Sequence, residues 1–165
     1  MNNRKQVRTL ISQMLYPTAP PDVDERSARV VELFIAQEAI REIKASPEEA
    51  VPVLIEEMRL RINFSSSNLT KHDTRRTWLQ QIHKMFDVLI EIGGPAIQDL
   101  VTLLEDGNPE LRRYGALALG SIGQPAALIH LERAWRDEDD QDTQDCMSYA
   151  MQRIEMKAKS QVVVH

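Results

Sequence analysis

Two stretches of this chain nearly repeat one another: IGGPAIQDL, beginning at Ile92, and IGQPAALIHL, beginning at Ile122. Glycine ends a helix by accepting a left-handed backbone, and a proline two residues later opens the next helix with its φ already helical. Each phrase therefore reads as a joint between two helices. A joint that recurs at a fixed interval makes the intervening segment a helical hairpin. A hairpin of that size cannot bury its own apolar side, so neighbouring hairpins must shelter one another and stability becomes nearly one-dimensional.

The rest of the chain keeps the same rhythm. Apolar residues recur at helical spacing almost throughout, and nowhere do they alternate in twos over a strand's length. Val7, Leu10, Ile11 and Met14 mark a first helix, which the prolines of YPTAPPD end. Val30, Leu33, Phe34, Ile40 and Ile43 mark a second, and Ser46 with Pro47 starts a third that carries Val51, Leu54, Ile55, Met58 and Ile62. FSSSNLTKHD interrupts, and Trp78, Ile82, Met85, Phe86 and Leu89 make a fourth helix that stops at Gly93 and Gly94. Further helices are expected over 95–105, 110–121, 125–136 and roughly 141–157. The expectation is an all-α chain, one domain over 1–165, built as an α-solenoid of about four antiparallel hairpins at approximately 3–45, 46–92, 93–121 and 122–158.

Within 92–154 the matching goes beyond rhythm. Gly93, Pro95, Asp106, Arg112, Ala116, Leu117 and Leu119, with Gly123 and Pro125 in the second copy, resemble the pattern of HEAT-like helical-hairpin repeats, particularly the short bacterial type named after phycobilisome lyases. The resemblance implies a superhelical scaffold and a pairing of Asp106 with Arg112. It also extends to lyases that attach or detach bilins. The small-residue helices RRYGALALGSI and QDCMSYAMQRI follow each joint's first helix, and small residues let helices approach closely.

Several classes of function are excluded or disfavoured. Among 165 residues only 5% are aromatic and 27% are charged, a helix-favouring balance. No run reaches the ~20 apolar residues of a membrane helix, and the amino-terminal stretch is broken by Ser12 and Gln13, so a cytoplasmic location without membrane association is expected. One cysteine, Cys146, permits no internal disulfide and no cysteine-based zinc site. The four histidines form no HExxH-like arrangement, and the paired glycines lack the lysine of a phosphate loop. RDEDDQDTQD fails as a calcium loop because Asp142 and Ser148 stand where glycine and glutamate are required. No catalytic residue, metal or cofactor is expected.

One feature contradicts local preference. Arginine pairs open the second helix of each of the first three hairpins: Arg26 and Arg29, Arg75 and Arg76, Arg112 and Arg113. Cations at a helix N-terminus cost about 0.3–1 kcal/mol each when exposed. They form either an internal ladder with nearby acids or a binding surface. Lys71 and His72 add to Arg75 and Arg76 to make a basic cluster suited to an acidic segment of a partner protein; Arg26, Arg29 and Arg113 are further candidates. The charge is asymmetric: residues 1–45 carry +1, 46–92 carry −1 and 93–165 carry −5. The expected function is a non-catalytic protein–protein interaction module, a scaffold or assembly factor, monomeric or weakly dimeric. Two alternatives are a nucleic-acid-binding helical repeat, against which the pI near 5.4 and the few aromatics argue, and a bilin lyase-like subunit.

Overall fold

The computed structural model describes residues 3–68 and 72–162. Among them every regular element is helical. Eight α-helices follow one another: α1 (Asn3–Leu15), α2 (Glu25–Ala45), α3 (Pro47–Asn68), α4 (His72–Ile92), α5 (Ile97–Leu103), α6 (Pro109–Ile122), α7 (Leu128–Arg136) and α8 (Gln141–Val162). Contacts divide the chain into two compact units, Met1–Glu57 and Met58–His165.

In the first unit, α1 buries Val7, Ile11 and Met14. Asp24 caps α2, its carboxylate accepting the backbone N–H groups of Arg26 and Ser27 at 3.1 Å, which satisfies two of the orphan donors every helix start leaves. Those hydrogen bonds hold the Asp24 carboxyl below the usual aspartate value. The side that α2 buries carries Ala36, Ala39 and Ile43. Val30, Leu33 and Phe34, expected on the core stripe, are instead 68%, 60% and 64% exposed, because the small Ala36 and Ala39 face the core in their place. Arg4 and Arg8 of α1 reach Glu56, and Arg8 also reaches Glu57, at 3.1–3.6 Å.

In the second unit the two joints adopt the backbone their residues demand. Gly93 has φ +71° and Gly123 φ +78°, and their N–H groups close the preceding helices onto Leu89 and Leu119. The prolines do not begin α-helix directly. Each lies in a single 3-10 turn, Gly94–Ala96 and Pro125–Ala127, and α5 and α7 start only after it. No side chain caps those turns; the tighter winding instead pairs Ala96 N–H with Gly93 and Ala127 N–H with Gln124. The third helix also differs from expectation. It continues through FSSS to Asn68, and α4 already begins at His72, so most of the expected interruption is helical.

The core of this unit is aliphatic, with Ile82, Met85, Leu89, Leu100, Leu103, Leu111, Leu131 and Ile154 all buried. Its tightest seam runs between α6 and α8. A Cβ added to Gly120 would lie 2.7 Å from Ala150 Cα and 2.9 Å from its Cβ, so the two helix backbones meet at a distance only glycine and alanine allow. Gly115 makes a similar approach to Leu103 and the carbonyl of Leu100. Met147 is fully buried beside this seam, whereas Met156 is 68% exposed, so the methionines of α8 do not form one surface row.

Candidate partner-binding surface

Leu60 and Phe64 stand one turn apart on α3 and are 57% and 50% exposed. Met58 and Ile62 of the same helix are buried, and a residue two places along a helix is turned by about 200°, so the exposed pair occupies the side away from the core. Across the hairpin, Trp78 of α4 packs its ring 5.6 Å from Phe64 and donates its indole N–H to the carbonyl of Arg61 at 2.8 Å. The Arg61 guanidinium lies 5.8 Å from the Trp78 centroid, while its Nε donates to Gln81 Oε1 at 3.4 Å. An aromatic pair of this kind contributes about 0.5–1.5 kcal/mol and a half-exposed cation–π contact about 0.5–1 kcal/mol. The patch is thus pre-formed. It is apolar, with a fixed cation at its edge.

The basic cluster adjoins this patch in sequence. Arg76 is exposed on the first turns of α4. His72 and Arg75 belong to the same helix, although their side chains, and Lys71 entirely, lie outside the described residues. Of the other candidates, Arg26 is exposed, Arg29 faces Glu25 at 3.7 Å on its own helix, and Arg113 is 3.7 Å from Asp142.

Arg112 has a different occupation. Its guanidinium forms a two-pronged pair with Glu138, Nε and one terminal nitrogen each 2.7 Å from a carboxylate oxygen. The other terminal nitrogen donates to the backbone carbonyl of Asp106 at 2.9 Å. The carboxylate of Asp106 goes elsewhere, to Arg59 of α3 at 2.7 and 2.9 Å and to the N–H of Asn108. The expected Asp106–Arg112 pairing therefore runs through the main chain, and the acid that matches Arg112 comes from the turn of the following hairpin. Both pairs repeat one device: an arginine of one hairpin reaches the acidic turn of the next, Arg59 to Asp106 and Arg112 to Glu138.

The electrostatics of this ladder are consistent. Glu138 is 3% exposed, and the Arg112 hydrogen bonds hold its carboxyl below the ordinary glutamate value. The same pairing raises Arg112 further above its already high value. Asp140 caps α8 through the backbone and hydroxyl of Thr143, bonds that depress its carboxyl. Of the acids in RDEDDQDTQD, Glu138 is thus held by Arg112, Asp140 by helix capping, and Asp142 lies beside Arg113. Asp137, Glu138 and Asp139 line a groove of about 510 Å³ together with His130 and Arg133 of α7.

Elsewhere, burial raises the Cys146 thiol and pushes Tyr114 up to about 12, where its ring meets Phe86 edge-on at 5.4 Å. Among the described residues no three His, Cys, Asp or Glu side chains converge as a metal site, and no helix is long and apolar enough to cross a membrane.

Comparison with known proteins agrees with the hairpin geometry. The family described as HEAT repeats matches residues 75–149, and these residues are HEAT-like helical repeats. A phycobilisome maturation protein of Synechococcus elongatus (strain ATCC 33912 / PCC 7942 / FACHB-805) is 35% identical over 68 residues. That alignment covers 41% of this chain and 33% of the relative, so the chain corresponds to about a third of that protein's length. No solved structure matches.

Proposed function

We propose that this chain is a non-catalytic protein-holding module, a scaffold or assembly factor that works as one four-hairpin unit. Its docking surface is the patch of Leu60, Phe64 and Trp78, together with the cations Arg61, Arg75 and Arg76. The observation that supports this reading is the exposure of Leu60 and Phe64 beside a ring already fixed by two polar contacts. Exposed apolar groups braced in this way supply binding energy with little ordering cost, and a cationic rim selects the partner's charge. The partner of fitting chemistry is an acidic segment with apolar anchors. HEAT-like repeats and a relative named for phycobilisome maturation support an assembly role in the same direction.

The test is affinity capture from the native lysate with wild type, a Leu60→Ser/Phe64→Ser variant and an Arg75→Glu/Arg76→Glu variant. One and the same protein should be captured by the wild type and lost from both variants, with helical circular dichroism unchanged. Retention of that protein by both variants removes the surface from consideration. A salt-dependent mobility shift with nucleic acid would favour the nucleic-acid reading instead, and a coloured complex with added bilin would favour the lyase-like one.

A further inference from the structure

The exposed face of α2 is a second, separate surface. Residues turn by about 100° each along a helix, which places Arg26, Val30, Leu33, Phe34 and Arg41 along one stripe, opposite the buried Ala36, Ala39 and Ile43. No carboxylate lies on its centre line. Glu38, at the edge, pairs with Arg41, whose side chain nonetheless stays 76% exposed. Three large apolar side chains above 59% exposure on consecutive turns form a contiguous patch of the kind that marks an interaction site.

The chain itself carries a face of matching chemistry. On α8 the same arithmetic aligns Asp142, Asp145, Tyr149, Gln152 and Met156, with Asp142 82%, Tyr149 52% and Met156 68% exposed. One stripe is apolar between cations; the other is apolar beyond carboxylates, with Arg153 5.8 Å from the Tyr149 ring at its edge and Asp142, although 3.7 Å from Arg113, still open to solvent. Laid antiparallel with Arg41 at the acidic turn of α8, Phe34 comes to Tyr149 and Val30 to the segment between Arg153 and Met156.

We propose that the α2 face of one copy docks on the α8 face of a second copy. The contact joins two different surfaces, so it is head-to-tail and leaves one of each free for further copies. A two-helix contact is small, and the association is accordingly weak and concentration-dependent. The inference stands apart from the proposed partner surface on α3 and α4, because none of its residues is shared.

Sedimentation velocity across roughly a hundredfold range of concentration tests it. The wild type should shift to larger species as concentration rises, and less so in high salt. Arg41→Glu and Asp142→Lys/Asp145→Lys should each abolish the shift. An equimolar mixture of the two variants should restore it, since the mixture again offers complementary faces. A wild type that sediments as a monomer throughout overturns the proposal and leaves an acidic helix of another protein as the occupant of α2. Association that survives in either variant, or that the mixture fails to restore, overturns it equally. Cross-linking of Phe34→Cys to Tyr149→Cys in a Cys146→Ser background provides a check independent of charge: disulfide-linked dimers are expected, and their absence at concentrations where the wild type associates contradicts the assigned faces.

Discussion

Replacing Gly120 by alanine tests the seam between α6 and α8. The new methyl would sit 2.7, 2.9 and 3.2 Å from the Cα, Cβ and carbonyl oxygen of Ala150, against an ordinary contact of 3.4–4 Å. Two of those three atoms are backbone, so relief requires α8 to move bodily by roughly 1 Å. Overpacking of this kind costs about 1–3 kcal/mol, and backbone overlap puts the case near the upper end. Alanine recovers about 1 kcal/mol of helix propensity over glycine. The expected net loss is about 2 kcal/mol, or a fall of about 1 M in the urea midpoint for a slope near 2 kcal/mol/M. Gly107→Ala is the control, because nothing lies within 4 Å of its added Cβ and its φ is not positive; it should stay within about 0.5 kcal/mol. If Gly120→Ala stabilises the protein, or matches Gly107→Ala, the seam is not as close as described.

Glu138→Ala should cost about 3 kcal/mol by urea denaturation, since it strands the half-buried Arg112; Glu132→Ala, which removes an exposed pair with Arg136 at 3.9 Å, should cost under about 0.5 kcal/mol. Because Glu138 and Asp140 have carboxyls depressed in the folded state, their stabilisation is complete above the ordinary values of 4.5 and 3.8 and is lost as pH falls below them. Thermal midpoints should therefore hold near neutrality and fall in acid, less steeply in Glu138→Gln, when followed by circular dichroism. Cys146, its thiol raised by burial, should react slowly with maleimide at pH 7 and faster as pH climbs toward and beyond 9, measured by mass.

Local chemistry that needs no distant partner was legible in the sequence. Gly93 and Gly123 announce left-handed residues, and both have them; the caps and apolar periods place each helix within a few residues. Legibility failed where a helix carries apolar residues on more than one side. On α2 the large side chains Val30, Leu33 and Phe34 outweigh alanine in any hydrophobicity reading, yet small Ala36 and Ala39 line the closer-packed face. The period identifies a helix without saying which face its neighbours take. Leu60 and Phe64 did leave a signal, since they fall half a turn off the stripe of Met58 and Ile62, whereas Trp78 lay on an apolar period and gave none. The choice of Glu138 over Asp106 for Arg112 was also hidden. It depends on how far one hairpin is set back from the next, a tertiary distance that spacing along the chain does not encode.

Hydrogen exchange read by mass spectrometry on wild type and Gly120→Ala addresses most directly the claim that adjacent hairpins shelter each other. If α6 and α8 hide one another's apolar sides, the substitution lowers protection in peptides from both helices by the same factor while α1 and α2 keep theirs. Loss confined to α6, with α8 as protected as before, would mean that each hairpin holds itself together and that the account is wrong.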